Sequence, residues 1–302
     1  MRTKLRQALL FAIVFLCCKG SYAQAPAASG PSASDLSSVG PTLTTSFNGS
    51  VAFQSNVYDW TTTASYVFDD HFSASIGVPI VFVHGTSSTG TTTSNAGLGS
   101  IFGRLQFTAK NPLLNFGALT TVALPTGDSS KGLSTGRVTA DFTGQIAKPL
   151  GRFTPFLSAG VGNSLFDTAS WQRPYTTLGD VAHFQGGSTF ALGRSLTLSA
   201  SLYDVAPWGD QKLYSRVIAK GVTSGPAASK HGRVFLDNAL STGGSSIDSD
   251  NGFNADLNFA PTKFVDVDFA YLHSVYFETD VFSFGVGVNL SSLLRRGAVS
   301  RN

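Results

Sequence analysis

Hydrophobic and polar side chains alternate along most of this chain with a period of two, which is the period of a β-strand. In the clearest segment, Phe282, Phe284, Val286, Val288 and Leu290 alternate with serine, glycine and asparagine. Such a strand has one apolar face and one small or polar face. The alternation therefore predicts β-strands that keep one face in an apolar environment.

Twelve segments carry this pattern, and most have about the length with which a tilted strand crosses a membrane, roughly 9–11 residues. The predicted strands are 43–54, 57–68, 72–83, 97–109, 113–125, 137–148, 153–165, 181–192, 196–206, 252–260, 264–277 and 281–290.

The predicted connections differ in length in a regular way. Short turns occur at every second junction, at 69–71, 110–112, 149–152, 193–195 and 261–263. The junctions between them include long polar loops at 84–96, 126–136, 166–180 and 207–251, with tight exceptions near 55–56 and 278–280. Short turns on one side and long loops on the other are typical of outer-membrane barrels, whose turns face the periplasm.

The predicted fold class is all-β: a closed antiparallel transmembrane β-barrel of about 12 strands, of the bacterial outer-membrane type. Closure is expected because a sheet in lipid cannot leave its edge hydrogen bonds unpaired. Twelve strands exceed the eight whose interior side chains nearly fill a barrel, so a lumen is expected. The loop 207–251 is long enough to fold into that lumen, and the sequence leaves open whether it does.

The N-terminal region has the features of a secretory signal. Three basic residues precede an apolar run at 8–18, and Ser21-Tyr22-Ala23 supplies small residues at a cleavage site, so we expect cleavage after Ala23. The expected organisation is a signal peptide at 1–23, a flexible linker at 24–40, the barrel at 41–290 and a periplasmic tail at 291–302.

Removal of residues 1–23 changes the charge and the cysteine content. It takes away four basic residues of 21, which leaves 17 against 18 acidic ones and changes the formal charge from +3 to −1. A nucleic-acid partner is therefore not expected, because it requires a basic surface. Both cysteines leave with the signal, which excludes thiolate catalysis and cysteine metal sites from the mature chain. No cofactor or metal is expected.

Four stretches resemble a known family: 77–82, 97–104, the run Val122-Ala-Leu-Pro-Thr-Gly-Asp128, and Gly132-Leu-Ser-Thr-Gly136. They resemble the outer-membrane transporters named for the meta-pathway of phenol degradation, over about 57–165 and weakly in the C-terminal strands. The resemblance implies a barrel that passes hydrophobic or aromatic compounds. One departure is that the last strand ends at Leu290, where many such barrels carry an aromatic residue that the assembly machinery reads.

If the apolar faces contact lipid, the opposite faces give a list of lumen residues. Charged side chains belong there, because Arg or Lys on the lipid face costs about 2–4 kcal/mol near the membrane midplane. We expect Arg104, Arg137 and Asp141 to converge at a constriction. The alternative is that the charges pair across the lumen and only stiffen the wall. The full list is Asp59, Arg104, Arg137, Asp141, His183, Asp256, Asp266 and Asp268.

Aromatic residues near strand ends are expected to form girdles at the membrane interfaces. Trp171, Tyr175 and Trp208 on long loops have aromatic ligand capture as an alternative. The girdle candidates are Tyr58, Trp60, Phe68, Phe72, Trp171, Trp208, Tyr271 and Tyr276. Five loop carboxylates fit hydrated turns, with divalent-cation binding as the alternative: Asp128, Asp167, Asp180, Asp248 and Asp250.

The expected function is passive passage of small, hydrophobic or aromatic solutes through an outer-membrane channel. The expected partners are outer-membrane lipid, the assembly machinery and the solute, and the oligomeric state is open. A structural or adhesive barrel is one alternative, and a barrel-borne lipase or protease is another. The enzyme alternative is disfavoured because alternation turns His273 and Ser274 to opposite faces, and the sequence shows no evident acidic partner for His273.

Overall fold

The computed structural model describes residues 39–52, 55–86, 92–166, 175–215, 240–262, 264–276 and 279–291. These residues form sixteen strands and two short 3-10 turns, Ser129–Lys131 and Ser245–Ile247. The strands are β1 Gly40–Ala52, β2 Ser55–Val67, β3 Phe72–Thr86, β4 Thr92–Leu98, β5 Ile101–Ala109, β6 Asn115–Leu124, β7 Thr139–Ala147, β8 Phe153–Gly162, β9 Tyr175–Leu178, β10 Val181–Ala191, β11 Leu196–Pro207, β12 Gln211–Ser215, β13 Leu240–Gly243, β14 Asp250–Thr262, β15 Val265–Ser274 and β16 Thr279–Asn289.

Thirteen of these strands close into one antiparallel barrel. The hydrogen-bonded order is β2-β1-β16-β15-β14-β11-β10-β8-β7-β6-β5-β3-β4, and β2 also pairs with β3. Strand β3 pairs with β5 along its first half and with β4 along its second half, so β4 and β5 together occupy one position. The barrel therefore has twelve strand positions, which confirms the predicted closed fold.

The connections are sorted by length as the sequence predicts. Both barrel ends of the chain, at β1 and β16, lie at the end that carries the short turns, which we call the turn end. The opposite end, which we call the loop end, carries the longer connections, apart from the tight links between β1 and β2 and between β15 and β16. The predicted loop 84–96 is largely wrong, because β3 extends to Thr86 and β4 begins at Thr92. Part of the predicted loop 207–251 joins the 166–180 connection in a small sheet of order β13-β12-β9.

The outward face of the barrel is an apolar band. Large side chains such as Ile76, Leu105, Leu157 and Phe282 expose 52–61% of their surface there, which in water would be unusual for so contiguous a surface. Aromatic rings lie at two levels of this band. Tyr66, Phe68, Phe72 and Phe107 are near the turn end; Phe253, Tyr271 and Phe282 are near the loop end. No helix in the described part of the chain is long and apolar enough to cross a membrane.

The inward face is made of small and polar side chains in the same strands. Thr61, Thr121, Thr154, Ser201 and Ser283 each expose less than a tenth of their surface. Their hydroxyls alternate with the apolar residues of the outward band, as the period of two requires. The inward face is therefore where a polar site can be built.

Candidate functional site on the inward wall

Seven of the eight predicted lumen residues lie on the inward set of positions. Asp59 is on β2, Arg104 on β5, Asp141 on β7 and His183 on β10; Asp256 is on β14, and Asp266 and Asp268 are on β15. Arg137 is the exception, because β7 begins only at Thr139 and Arg137 is exposed in the preceding loop. Its predicted place on an inward strand face is corrected.

Beside Asp250 at the loop end, four predicted carboxylates line the wall from β14 around to β2. In the register, Asp59 lies opposite Asn48 of β1, which is opposite Gly285 of β16, and Gly285 is opposite Asp268 of β15. Asn48 Nδ2 donates to Asp59 Oδ2 at 2.9 Å, and Asn258 Nδ2 donates to Asp268 Oδ1 at 2.6 Å. The two asparagines therefore fix the direction in which these carboxylates point.

Two glycines of β16 make room for this arrangement. A Cβ added to Gly285 would come within 2.8 Å of Asn48 Oδ1, and one added to Gly287 would come within 2.6 Å of both carboxylate oxygens of Asp266. Any side chain at these positions would displace the polar groups of the neighbouring strands. The glycines let those groups lie over the backbone of β16.

Arg104 lies on the other side of the β2–β3 pair. Its guanidinium carbon is 4.5 Å from the ring centroid of Phe102, within the range of a cation–π contact. The ring of Phe102 in turn occupies the space above Gly77, where an added Cβ would lie 2.1 Å from the ring. The carboxylate of Asp59 interacts electrostatically with Arg104. Arg104 thus contacts an aromatic ring and interacts with a negative charge.

Arg104 and Asp141 lie two strands apart in the register. Both lie opposite Thr121 of β6, one on each side of it. Strand spacing of about 4.8 Å puts their backbones two strands, or roughly 10 Å, apart. The predicted three-charge convergence is reduced to these two residues, because Arg137 belongs to the loop.

Asp141 and His183 form a buried pair over strand β8. His183 Nε2 and Asp141 Oδ2 are 2.8 Å apart, and Thr143 Oγ1 donates to Asp141 Oδ1 at 2.7 Å. Both partners are only 8% exposed. They belong to β7 and β10, which flank β8, and they meet above Gly160, where an added Cβ would lie 2.2 Å from His183 Nε2.

Apolar side chains gather inside the barrel at the loop end. Leu133, from the loop that precedes β7, packs on inward-facing Val57 and Val83. On the other side Leu165, from the segment after β8, packs in a cluster with Val181, Tyr203, Val205, Leu272 and Val281. Two loops therefore each place a leucine inside the rim, which narrows the mouth with apolar groups.

Two of the predicted loop carboxylates, Asp128 and Asp250, have ordinary hydrogen-bond partners. The hydroxyl and backbone N–H of Ser130 donate to Asp128 Oδ1 at 2.6 and 2.9 Å, and these bonds lower the pKa of Asp128. Asp250, predicted in a loop, begins β14 and accepts from Ser274 Oγ at 2.5 Å. No group of three or more potential metal-binding side chains occurs among the described residues. Asp248 is buried and Asp180 exposed, while Asp167 lies outside the described residues.

His273 has an acidic partner that the sequence did not reveal. Its Nδ1 is 2.8 Å from Asp280 Oδ1 on the outward face, and Tyr271 OH donates to the same oxygen at 2.6 Å. Ser274 faces inward and donates to Asp250. The alternation was therefore right about Ser274, and the expectation of no partner for His273 is wrong.

The predicted girdle residues are found at several positions on the barrel surface. Trp60 is 53% exposed on the outward face, and its Nε1 donates to Thr45 Oγ1 at 2.6 Å. Trp208 is 47% exposed just beyond β11. Trp171 lies outside the described residues, and so does the side chain of Tyr175.

Sequence reasoning missed the groups that hold the charged residues. Phe102, Asn48 and Asn258 were absent from the candidate list, as was Leu133, because none is titratable. The available signal was the residue type at inward positions. Gly160, Gly285 and Gly287 are such positions. At each of them a side chain from a neighbouring strand lies over the glycine, where a Cβ would otherwise be.

The fold is similar to those of known outer-membrane channels. An outer-membrane channel from Pseudomonas putida F1 is 11% identical, with a TM-score of 0.53, over 91% of this chain and 100% of that chain. The NanC porin is 8% identical, with a TM-score of 0.43, over 81% and 98%. The CymD monoaromatic hydrocarbon channel is 8% identical, with a TM-score of 0.39, over 88% and 94%.

Comparison by sequence gives a different result. No family model matches the chain, and no curated protein matches it. The similarity to the Pseudomonas channel therefore shows the fold: a twelve-stranded barrel of the outer-membrane type.

Proposed function

We propose that this protein is a passive outer-membrane channel for small solutes, with its loop end facing outside the cell. The observation that carries the proposal is the difference between the two faces of every barrel strand. The outward face is apolar at lipid depth, while the inward face has charged and amide side chains around a twelve-strand lumen. Polar groups facing into a lumen are what a water-filled pore requires.

Three further parts of the proposal rest on the sequence. The chain reaches the outer membrane after cleavage at Ala23, is inserted by the assembly machinery, and ends in a periplasmic tail. The family resemblance supports a hydrophobic or aromatic solute. The apolar lining of the loop-end mouth supports the same solute class. Contact between this lining and an apolar solute removes apolar surface from water, which is favourable.

The proposed constriction has two levels. The upper level is the mouth, where Leu133 and Leu165 extend inward from opposite sides. The lower level is the charged zone of Asp59, Arg104 and the β14–β15 carboxylates. A solute passing inward would meet apolar groups first and charges second.

Single-channel recording of the refolded chain in a planar bilayer tests the proposal. We expect discrete conductance steps from the wild type and larger steps from Leu133→Ala with Leu165→Ala, because both changes remove side chains from the mouth. The matched control is Leu105→Ala, which shortens a leucine on the lipid face and should leave the conductance unchanged. Deletion of 212–246 shows whether the long loop adds to the constriction.

A correctly folded barrel that conducts no ions, in the wild type and in the widened variants, would contradict the channel. It would support the structural barrel instead. Folding is checked separately by the shift in gel mobility on heating, so loss of current cannot be confused with failure to refold.

A further inference from the structure

The charges on the inward wall are strongly unequal in sign. Among the described residues of the barrel strands, one guanidinium faces inward, that of Arg104, together with the imidazole of His183. Six carboxylates face inward, those of Asp59, Asp141, Asp250, Asp256, Asp266 and Asp268. The His183 imidazole lies against Asp141, so it adds no isolated positive charge to the lumen.

The negative charge is concentrated on one side. From β14 through β15, β16 and β1 to β2, the inward positions of the described residues include five carboxylates (all of the six except Asp141) and no lysine or arginine. Asp256 and Asp268 are close enough to repel each other. Asp256 Oδ2 is buried and accepts no hydrogen bond from a described residue. Counted over the described residues, the carboxylates of this part of the wall therefore outnumber its inward-facing lysines and arginines.

Two glycines of β16 provide the space in which the polar side chains of this wall lie. Gly285 and Gly287 keep the space that Asn48 and Asp266 occupy, so side chains from β15 and β1 meet across β16. Arg104 with Phe102 stands on a different part of the wall. Among the described residues the lumen therefore has an acidic side and one arginine, so its wall charge is uneven around the pore and carries more carboxylates than cations.

We infer that the channel selects cations, and that its organic substrates are small amines with an apolar body in preference to carboxylates of the same size. The inference rests on the proposed channel function. Rings of aspartate select cations in pores. At physiological salt the screening length is about 8 Å, so wall charges reach much of a narrow lumen. The apolar mouth favours the body of the solute, and the acidic zone favours its ammonium group.

Reversal potentials across a bilayer with a KCl gradient test the sign of the selectivity. We expect the wild-type potential to move toward that of a potassium electrode. A second measurement replaces KCl with benzylammonium chloride or potassium benzoate, whose organic ions share a ring and differ in charge. Benzylammonium is expected to carry more current than benzoate.

Asp266→Asn with Asp268→Asn removes two charges with little change of shape, and should lower the K⁺ to Cl⁻ permeability ratio severalfold. The conservative pair Asp266→Glu with Asp268→Glu should keep it. Asp204→Asn removes one carboxylate from the outward face of β11 and is the matched control. If the double variant does not refold, Asp59→Asn tests the same wall from another strand.

The possible results separate the two proposals. A conducting wild type that prefers chloride, or whose ratio is unchanged by removal of the wall carboxylates, would overturn the cation selectivity and leave the channel in place. Absence of any wild-type current would overturn the channel proposal, and the selectivity with it.

Discussion

Two histidine–aspartate pairs of equal length lie on opposite faces of this barrel. His183 and Asp141 are 2.8 Å apart on the inward wall, where each side chain is about a tenth exposed. His273 and Asp280 are also 2.8 Å apart, but on the outward face, where Asp280 is 54% exposed. Because the distances are the same, any difference in their importance must come from their surroundings.

The two sites differ in what can solvate the carboxylate once its histidine is removed. A buried carboxylate that loses its imidazole keeps only its other hydrogen bonds, and the cost of burying its charge remains. Asp280 is the second residue of β16, at the loop end, where we expect water to reach an exposed carboxylate, so removal of its partner should cost little. We therefore expect the inward pair to hold the wall together and the outward pair to contribute little to stability.

The largest effect is expected from His183→Leu. The change leaves Asp141 buried with the Thr143 hydroxyl but without the imidazole, and we expect it to lower the free energy of unfolding by about 3 kcal/mol. Urea unfolding of the refolded barrel in lipid vesicles measures it. A loss below about 1 kcal/mol would mean that water in the lumen hydrates Asp141 as well as the histidine does.

Gly160→Ala should have the next largest effect. Its new Cβ would lie 2.2 Å from His183 Nε2 and 2.7 Å from the Phe142 carbonyl oxygen, so the pair or the β8 backbone must move. We expect a loss of about 2 kcal/mol, within the range of overpacked sites. Gly117→Ala is the matched control, because its added Cβ would find its nearest atom at 3.8 Å. Equal losses in both variants would show that the cost is not steric.

The twelve strand positions could be predicted from the sequence because lipid contact imposes alternation on every strand. The predictions were wrong at strand ends, where the chain leaves the lipid and alternation is no longer required. Residues 84–86 and 92–96 belong to the ladder of β3 and β4, but the segment 84–96 is rich in threonine and serine, so no period of two marks it. Arg137 continues the alternation of β7 in phase, yet the chain has already left the strand there.

The partners of the charged residues could not be predicted for a different reason. Asp141 meets His183, 42 residues later in the chain, because β7 and β10 both flank β8. That neighbourhood depends on the register of three strands, which alternation does not determine. The outward pair shows the same limit: Asp280 was in a predicted tight connection, so its approach to His273 was not foreseen.

Replacing both members of the inward pair should cost less than replacing one. Asp141→Leu together with His183→Leu removes the buried charge along with its partner, and we expect the double variant to lie within about 1 kcal/mol of the wild type. The double-mutant cycle with the two single variants gives the coupling energy directly. A double variant as unstable as His183→Leu alone would indicate that Thr143 and the strand register, rather than the buried charge, determine the cost.

The smallest effect is expected from His273→Leu, the same substitution on the outward face. Asp280 keeps the hydrogen bond from Tyr271 and is exposed at the loop end, so no buried charge is left behind. The new leucine would lie beside Phe253, whose ring is now 5.3 Å from the His273 ring, and an apolar side chain suits that face. We expect the free energy of unfolding to change by less than about 1 kcal/mol, measured by the same urea titration as for His183→Leu. A loss as large as that of His183→Leu would contradict the argument from surroundings, because it would show that hydration of Asp280 does not compensate for the missing imidazole. If His273→Leu loses little free energy of unfolding and His183→Leu loses much, the difference is due to burial, since residue types and distance are the same at the two sites.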